Sequence, residues 1–445
     1  MKLRGFSGIS LSIVYFALFG LFSFRAAVAE DLARPHVLYV ESNDSQPDQN
    51  AILAYTINEN DGSLSLLGAF PTGGTGFENF DGRIGPNDND KEIILNADKS
   101  LLFAVNGGSN TIAVFHIAEN GALSPVQGSP FPSGGSTPVG LGLSGNNLMV
   151  VNDNFDNING AFGPGPANYA VFRVAGDGRL VPIRKSTISV ASDAEPIVVQ
   201  IAPNGKVAFG IDLLALPYNE PQISPLLPAR GSVLEAFTIS EDGTLQRSPG
   251  APFVAPVDAR LNPIDPGTGY LIGFGAHPAQ PILYSGEALT ARLAVYTYDP
   301  ETGVPSFVTD VAALGVATCW MEFTKDLRFL FTADVGANQI GVWNIENPLA
   351  PKPIQELTLK LAGTPPFPAT IPPGVAPSIG FQLSLGPTGK FLYVTGHSDA
   401  VTTYPEGNVI HILGIQPDGT LVEAPFSPVV LPVSTSADPT GSAIR

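Results

Sequence analysis

Phe237-Thr238-Ile239-Ser240-Glu241-Asp242-Gly243-Thr244-Leu245 reads as a β-strand, a tight Asp-Gly turn and the start of a returning strand. Asp-Gly suits the φ > 0 positions of a two-residue hairpin. The chain repeats the stretch. Earlier copies run from Thr56-Ile57 to Asp61-Gly62-Ser63-Leu64, from His116-Ile117 to Asn120-Gly121-Ala122-Leu123, and from Arg173-Val174 to Asp177-Gly178-Arg179-Leu180. Later copies run from Tyr298 to Thr302-Gly303-Val304 and from Gly414-Ile415 to Asp418-Gly419-Thr420-Leu421, with a degraded one at Asn347-Pro348-Leu349. Seven copies, with centres roughly 45 to 70 residues apart, fall in the range where a period marks a propeller or a solenoid.

A second landmark precedes each turn: an apolar strand, a short polar turn, then an apolar-aromatic strand ending in a small polar residue. Gln382-Leu383-Ser384-Leu385, Gly386-Pro387-Thr388-Gly389-Lys390 and Phe391-Leu392-Tyr393-Val394-Thr395-Gly396 form the clearest copy. Each repeat is therefore four strands, A to D, with A–B joined by the Pro-Gly-Lys type of turn and C–D by the Asp-Gly turn. Four antiparallel strands repeated seven times predict an all-β, seven-bladed propeller over residues 30–445. The first repeat starts at its strand B, Val37-Leu38-Tyr39-Val40, and lacks a strand A. The end of the chain, Asp438-Pro439-Thr440-Gly441-Ser442-Ala443-Ile444, resembles the lead-in to another strand A. It is expected to supply the missing inner strand of blade one, which protects the sheet edge and closes the ring.

This topology separates two faces. The A–B and C–D turns emerge on one side and are short. The B–C and D–A connections emerge on the other and carry the long insertions: 42–50, 71–91, 152–168, 212–232, 249–269, 362–378 and 397–407. Long ordered loops are costly to fix and tend to serve binding or catalysis, so the site is expected there, at the mouth of the central channel.

Gly and Pro are abundant, 48 and 42 residues, as many short strands joined by turns require. The formal net charge of −18 repels phosphate backbones, which argues against a nucleic-acid partner and weighs against a polyanionic substrate. Residues 1–29 read as a secretory signal: basic Lys2 and Arg4, an apolar run from Ile9 to Phe24, and Ala27-Val28-Ala29 before the cut. An uncleaved anchor is the competing reading, though the run is short for a span. The mature chain is expected to be exported, periplasmic or secreted, and monomeric. The lone Cys319 lies among apolar residues and is expected to be a buried, inert thiol.

Of five histidines, His36 and His277 fall at A–B turns, His116 and His411 in C strands, and His397 alone on the loop-rich face. His397 is thus the imidazole placed to act as general acid or base, against the reading of a hydrogen-bonded loop residue. Acidic candidates on that face are Glu41, Glu78, Asp81, Asp153, Asp156, Asp212, Glu287, Asp334 and Asp399. Asp212, Glu287 and Asp334 share one register, three residues after the strand B aromatic, where capping of the B–C turn is the competing role. Arg83, Arg230, Arg260 and Arg292 are cations suited to clamp a carboxylate, with a local Glu287–Arg292 ion pair as the alternative. Asp88 and Asp90 in Asn87-Asp88-Asn89-Asp90, and Asp153 and Asp156 in the Asn152–Asn157 stretch, make oxygen-rich loops that are candidates for a divalent cation such as calcium. Neither has EF-hand spacing, and solvated turns are the alternative.

Leu392-Tyr393-Val394-Thr395-Gly396, preceded by Pro387-Thr388-Gly389-Lys390 and followed by Pro417-Asp418-Gly419-Thr420-Leu421, resembles the repeat of the lactonase-type seven-bladed propellers. That family includes 6-phosphogluconolactonase-like and 3-carboxymuconate cyclase-like proteins, and its relatives carry the Tyr-Val-Thr-Asn repeat. The resemblance implies the propeller over the whole mature chain and lactone hydrolysis or formation. Family cyclases use a His, Arg and Glu combination near the channel mouth; here His397, Glu287 and Arg292 are the candidates, chosen by face and not matched position by position. The other function class is a non-catalytic propeller that binds a glycan, peptide or protein through its long loops.

Overall fold

The computed structural model describes residues 34–77, 90–156, 161–162, 165–191, 194–214, 232–254, 271–288, 290–360, 378–397 and 407–445. The secretory-signal stretch and the candidates Glu78, Asp81, Arg83, Asp88, Arg230, Arg260 and Asp399 lie outside them. Seven antiparallel sheets of four-strand order stand in sequence, which is the expected seven-bladed propeller. Blade seven shows the plan: Ile379–Leu385 (A), Phe391–His397 (B), Val409–Ile415 (C) and Leu421–Glu423 (D), paired in that order. Strand B, between two neighbours, is buried along nearly its whole length. The repeat aromatic at its centre (Tyr39, Phe103, Phe209, Tyr284, Phe331 or Tyr393) is fully buried between blades. Each such side chain contributes about 1.5–3 kcal/mol by burial.

Two features refine the sequence reading. The C–D turns are not two-residue hairpins. At Ser240, the backbone N–H bonds Thr244 O at 3.0 Å and Gly243 N–H bonds Ser240 O at 2.8 Å, leaving a three-residue loop in which Gly243 alone has positive φ, +82°. The aspartate does different work: Asp242 Oδ1 accepts from Thr244 N–H at 2.9 Å, and Asp61, Asp177 and Asp418 accept in the same way two residues on. This is a tight turn finished by a left-handed glycine, with the acid as local acceptor. In blades two, four and seven the outer strand also breaks and resumes, as in Leu421–Glu423 and Val429–Val430, with a cis X-Pro bond in each gap.

The same turns lock neighbouring blades. Tyr39 Oη donates to Gly121 O at 2.8 Å, Tyr284 Oη to Pro348 O at 2.7 Å, and Tyr393 Oη to Gly62 O at 3.1 Å. Each is a strand B tyrosine reaching the C–D turn of the next blade, and Pro348 belongs to the degraded copy. Gly419 packs so closely on Phe329 of the preceding blade that a Cβ would lie 2.4 Å from the ring.

The ring closes as expected. Ser442–Ile444 pairs antiparallel with Val37–Glu41 and becomes the inner strand of blade one. Arg445 extends the seam: its N–H bonds Val37 O at 2.9 Å and its guanidinium bonds Ala118 O at 2.6 Å, while its carbonyl meets His36 Nδ1 at 3.1 Å. Cys319 is fully buried in strand A of blade six, its thiol turned to Ala317 O at 3.2 Å. No helix among the described residues is long and apolar enough to cross a membrane.

Candidate site on the loop-rich face

The closing seam also brings chemistry together. His397 ends strand B of blade seven on the loop-rich face, 1% exposed, with Nδ1 2.5 Å from Asp438 Oδ1. The edge-to-face ring of Phe381, 4.4 Å away by centroids, fixes the imidazole plane, and Phe381 is itself stacked on Trp320 at 4.1 Å. Asp438 lies in the connection that leads into the closing strand, so ring closure puts the carboxylate on the histidine. Two residues on, the Thr440 hydroxyl donates to Glu92 Oε1. Gly441 passes so close to Glu92 that a Cβ would stand 2.6 Å from Oε2, so a larger residue there would displace the Glu92 carboxyl.

Glu92 is 3% exposed and burial pushes its carboxyl up to about 8, with Asp90 and Asp438 adding to the rise. At neutral pH it is therefore a neutral carboxylic acid that can donate a hydrogen bond. Burial, and next the nearby Glu92, raises Glu41 well above the usual range, while Asn50 donates to its Oε1 at 2.7 Å. Asn50 continues to Asn106 Oδ1 at 2.9 Å, which also accepts from Thr72 at 2.6 Å. The arrangement offers an imidazole oriented by a carboxylate and a protonated acid beside that carboxylate. Such a set can take up and release a proton.

Glu287 and Arg292 face each other across blade five but do not form the expected pair. Arg292 Nε turns to Asp310 Oδ1 at 2.5 Å, and Glu287 accepts from Thr290 at 2.9 Å. Burial pushes Glu287 up to about 7. Its bond to Thr290 is the expected cap on the B–C turn. The same register does other work elsewhere. Asp212 accepts from Tyr169 Oη at 2.8 Å, and Asp334 stands against Glu356 in its own blade, burial raising the two to about 7 and about 9. The Asp212 bond joins blades three and four and the Asp334–Glu356 contact stays within blade six, so neither side chain caps its turn.

Of the cation candidates, Asp90 accepts from Gln382 Nε2 at 3.2 Å across the channel. Asp153 is fully buried, raised by burial and by the neighbouring Glu195 and Asp212. Asp88 and the side chain of Asp156 lie outside the described residues. Among the described residues, no three His, Cys, Asp or Glu side chains gather as a metal site. Reading by face found His397 and Glu41 but missed Glu92, Asp438 and Thr440. The only signal for Asp438 was its place in the lead-in to the closing strand, which reads as architecture. Glu92 precedes a strand A and carries no spacing of its own.

With this geometry the chain is a seven-bladed propeller, and part of it is similar to a known propeller family. Residues 48–160 match the model of the family described as lactonase, 7-bladed beta-propeller. Solved structures similar over nearly the whole chain include a candidate 6-phosphogluconolactonase from Bacteroides fragilis (15% identity, 93% of this chain and 98% of that one, TM-score 0.60). A second, from Bacteroides uniformis, gives 14%, 93%, 100% and 0.61. The periplasmic gluconolactonase PpgL of Pseudomonas aeruginosa is 16% identical over 90% of this chain and 84% of its own, with a TM-score of 0.51. At such identities the likeness shows the fold. No curated protein matches the sequence.

Proposed function

We propose that the chain is an exported lactonase-type enzyme that opens or closes a small lactone at the loop-rich mouth of the channel. The observation that carries this reading is His397 held by Asp438 at 2.5 Å. With Nδ1 committed to the carboxylate, Nε2 is the nitrogen that takes a proton from water. The resulting hydroxide attacks the lactone carbonyl, the ring C–O bond breaks, and the leaving alkoxide recovers the proton from the imidazolium. The product is the hydroxy acid, and the reverse sequence closes the ring. Glu92, protonated at neutral pH, is suited to donate to the carbonyl oxygen as negative charge develops on it. The net charge of −18 favours a substrate without phosphate. The matched family supports the class of reaction. No nucleic acid partner and a monomeric state belong to the same proposal.

Proton release by the mature protein against sugar, aliphatic and aromatic lactones, with and without chelator, tests it. Turnover that His397→Ala loses is the expected result. A flat trace across the panel overturns the enzyme reading and leaves the loop-rich face as a binding surface for a glycan, peptide or protein.

A further inference from the structure

The central channel holds a cavity of about 300 Å³. Its walls are the inner strands of blades one, two, six and seven, with Ile444, Leu95, Glu322 and Leu385 towards the short turns. Asp90 and Lys91 close its other end. Asp90 accepts from Gln382 of blade seven, and Lys91 stretches to Gln200 of blade four. Lys91 takes φ +65°, a left-handed conformation uncommon for a residue with a side chain, to lie there. These contacts reach blades seven and four and so set the two residues across the channel. This compartment is distinct from the His397 cluster, and its ligand chemistry is independent of the lactonase reading.

Among the described residues, the polar groups of this wall that find no protein partner are the Trp320 indole N–H and the Glu322 carboxyl. Ser384 and Ser442 bond each other at 2.9 Å, Gln382 serves Asp90, and Lys91 serves Gln200. Glu322 has no hydrogen-bond partner among the described residues, although it is only partly open and lies deep in the ring. Burial pushes its carboxyl up to about 7, with Lys91 opposing the rise and Asp90 adding to it. A carboxylate left without a partner in an enclosed site is costly, and a ligand that supplies charge and donors removes that cost. The walls around it, Leu95, Met321, Leu385 and Ile444, are aliphatic. They suit a hydrocarbon stem.

We propose that this compartment binds a small aliphatic ammonium ion, its N–H groups on Glu322 and its stem against Leu95, Met321, Leu385 and Ile444. The chain's overall charge of −18 draws cations toward the channel and repels anions. A metal ion fits less well, because no three acidic or imidazole ligands gather among the described residues.

Calorimetric titration of the full mature protein with n-butylammonium, n-butanol and calcium tests this. Saturable binding of n-butylammonium, at least tenfold weaker in Glu322→Gln and unchanged in His397→Ala, is the expected result. Quenching of Trp320, which lines the same cavity, gives a second readout in Trp343→Phe. The proposal is overturned if n-butylammonium shows no saturable binding. It is equally overturned if n-butanol binds as well, if calcium displaces the amine, or if Glu322→Gln binds like the parent. Loss of lactone turnover with amine binding intact would sink the enzyme reading alone.

Discussion

Single atoms explain why the repeat tolerates so much drift. The common work of each unit is done by one buried aromatic and one turn carbonyl. Where both are present, as in Tyr393 Oη to Gly62 O at 3.1 Å, the blades are tied across the first and last repeats. Tyr393→Phe keeps the ring and removes the bond, so unfolding in denaturant should show a loss of about 1 kcal/mol. At the candidate site the decisive pair is also atomic. Under the proposed function, Asp438 fixes which imidazole nitrogen faces the reaction, a positioning role that leaves His397 as the group that moves the proton. These partners were not legible. His397 could be placed by face, but Asp438 follows it by some forty residues and meets it only through closure of the ring. Glu287 and Arg292 were close in sequence and opposite across a turn, yet Asp310 on the outer strand competes for the guanidinium and wins it.

Strands and turns were the legible level. Alternating apolar runs gave the four strands of each blade, and every Asp-Gly copy is a C–D turn. Only the turn type differs, because the aspartate is needed as an acceptor and not in a left-handed conformation. Gly419 shows what the glycine is for: its φ is +86° and the Phe329 ring occupies the space of a Cβ. Gly419→Ala should cost about 1–3 kcal/mol from strain and overlap, read as a lower melting temperature. In the degraded sixth copy Glu346 N–H donates to Asn344 Oδ1 at 3.1 Å and Ala350 N–H to Asn347 O at 3.0 Å, so the chain turns there without glycine.

The whole molecule adds two consequences. Removing residues 442–445 takes the inner strand from blade one and the Arg445 bonds from the seam. The deletion should lower the melting temperature of the entire domain, in one transition, and not fray blade one alone; an unchanged melting curve would contradict the closed ring. The second consequence is a stability that falls as pH rises. Burial holds Glu92 at about 8, Glu287 and Glu322 at about 7, and Glu356 at about 9, against an ordinary glutamate value of 4.5. Between 4.5 and those values the folded chain holds protons that the unfolded chain has released, so their contribution is complete below 4.5 and lost progressively toward pH 9. The exposed turn aspartates, with lowered values, weaken the fold only below 3.8. Melting temperature should therefore peak near pH 4 and decline toward pH 9, and Glu92→Gln should flatten the part of that decline below pH 8. A melting temperature rising from pH 5 to pH 8 would be inconsistent with these buried acids.

The most direct test of the central claim, that ring closure builds the site, is lactone turnover by Asp438→Asn across pH, beside its melting temperature. The account predicts a loss on the order of 10²-fold or more, with a displaced pH profile and a melting temperature close to the parent's. Turnover and pH profile unchanged in Asp438→Asn would contradict it.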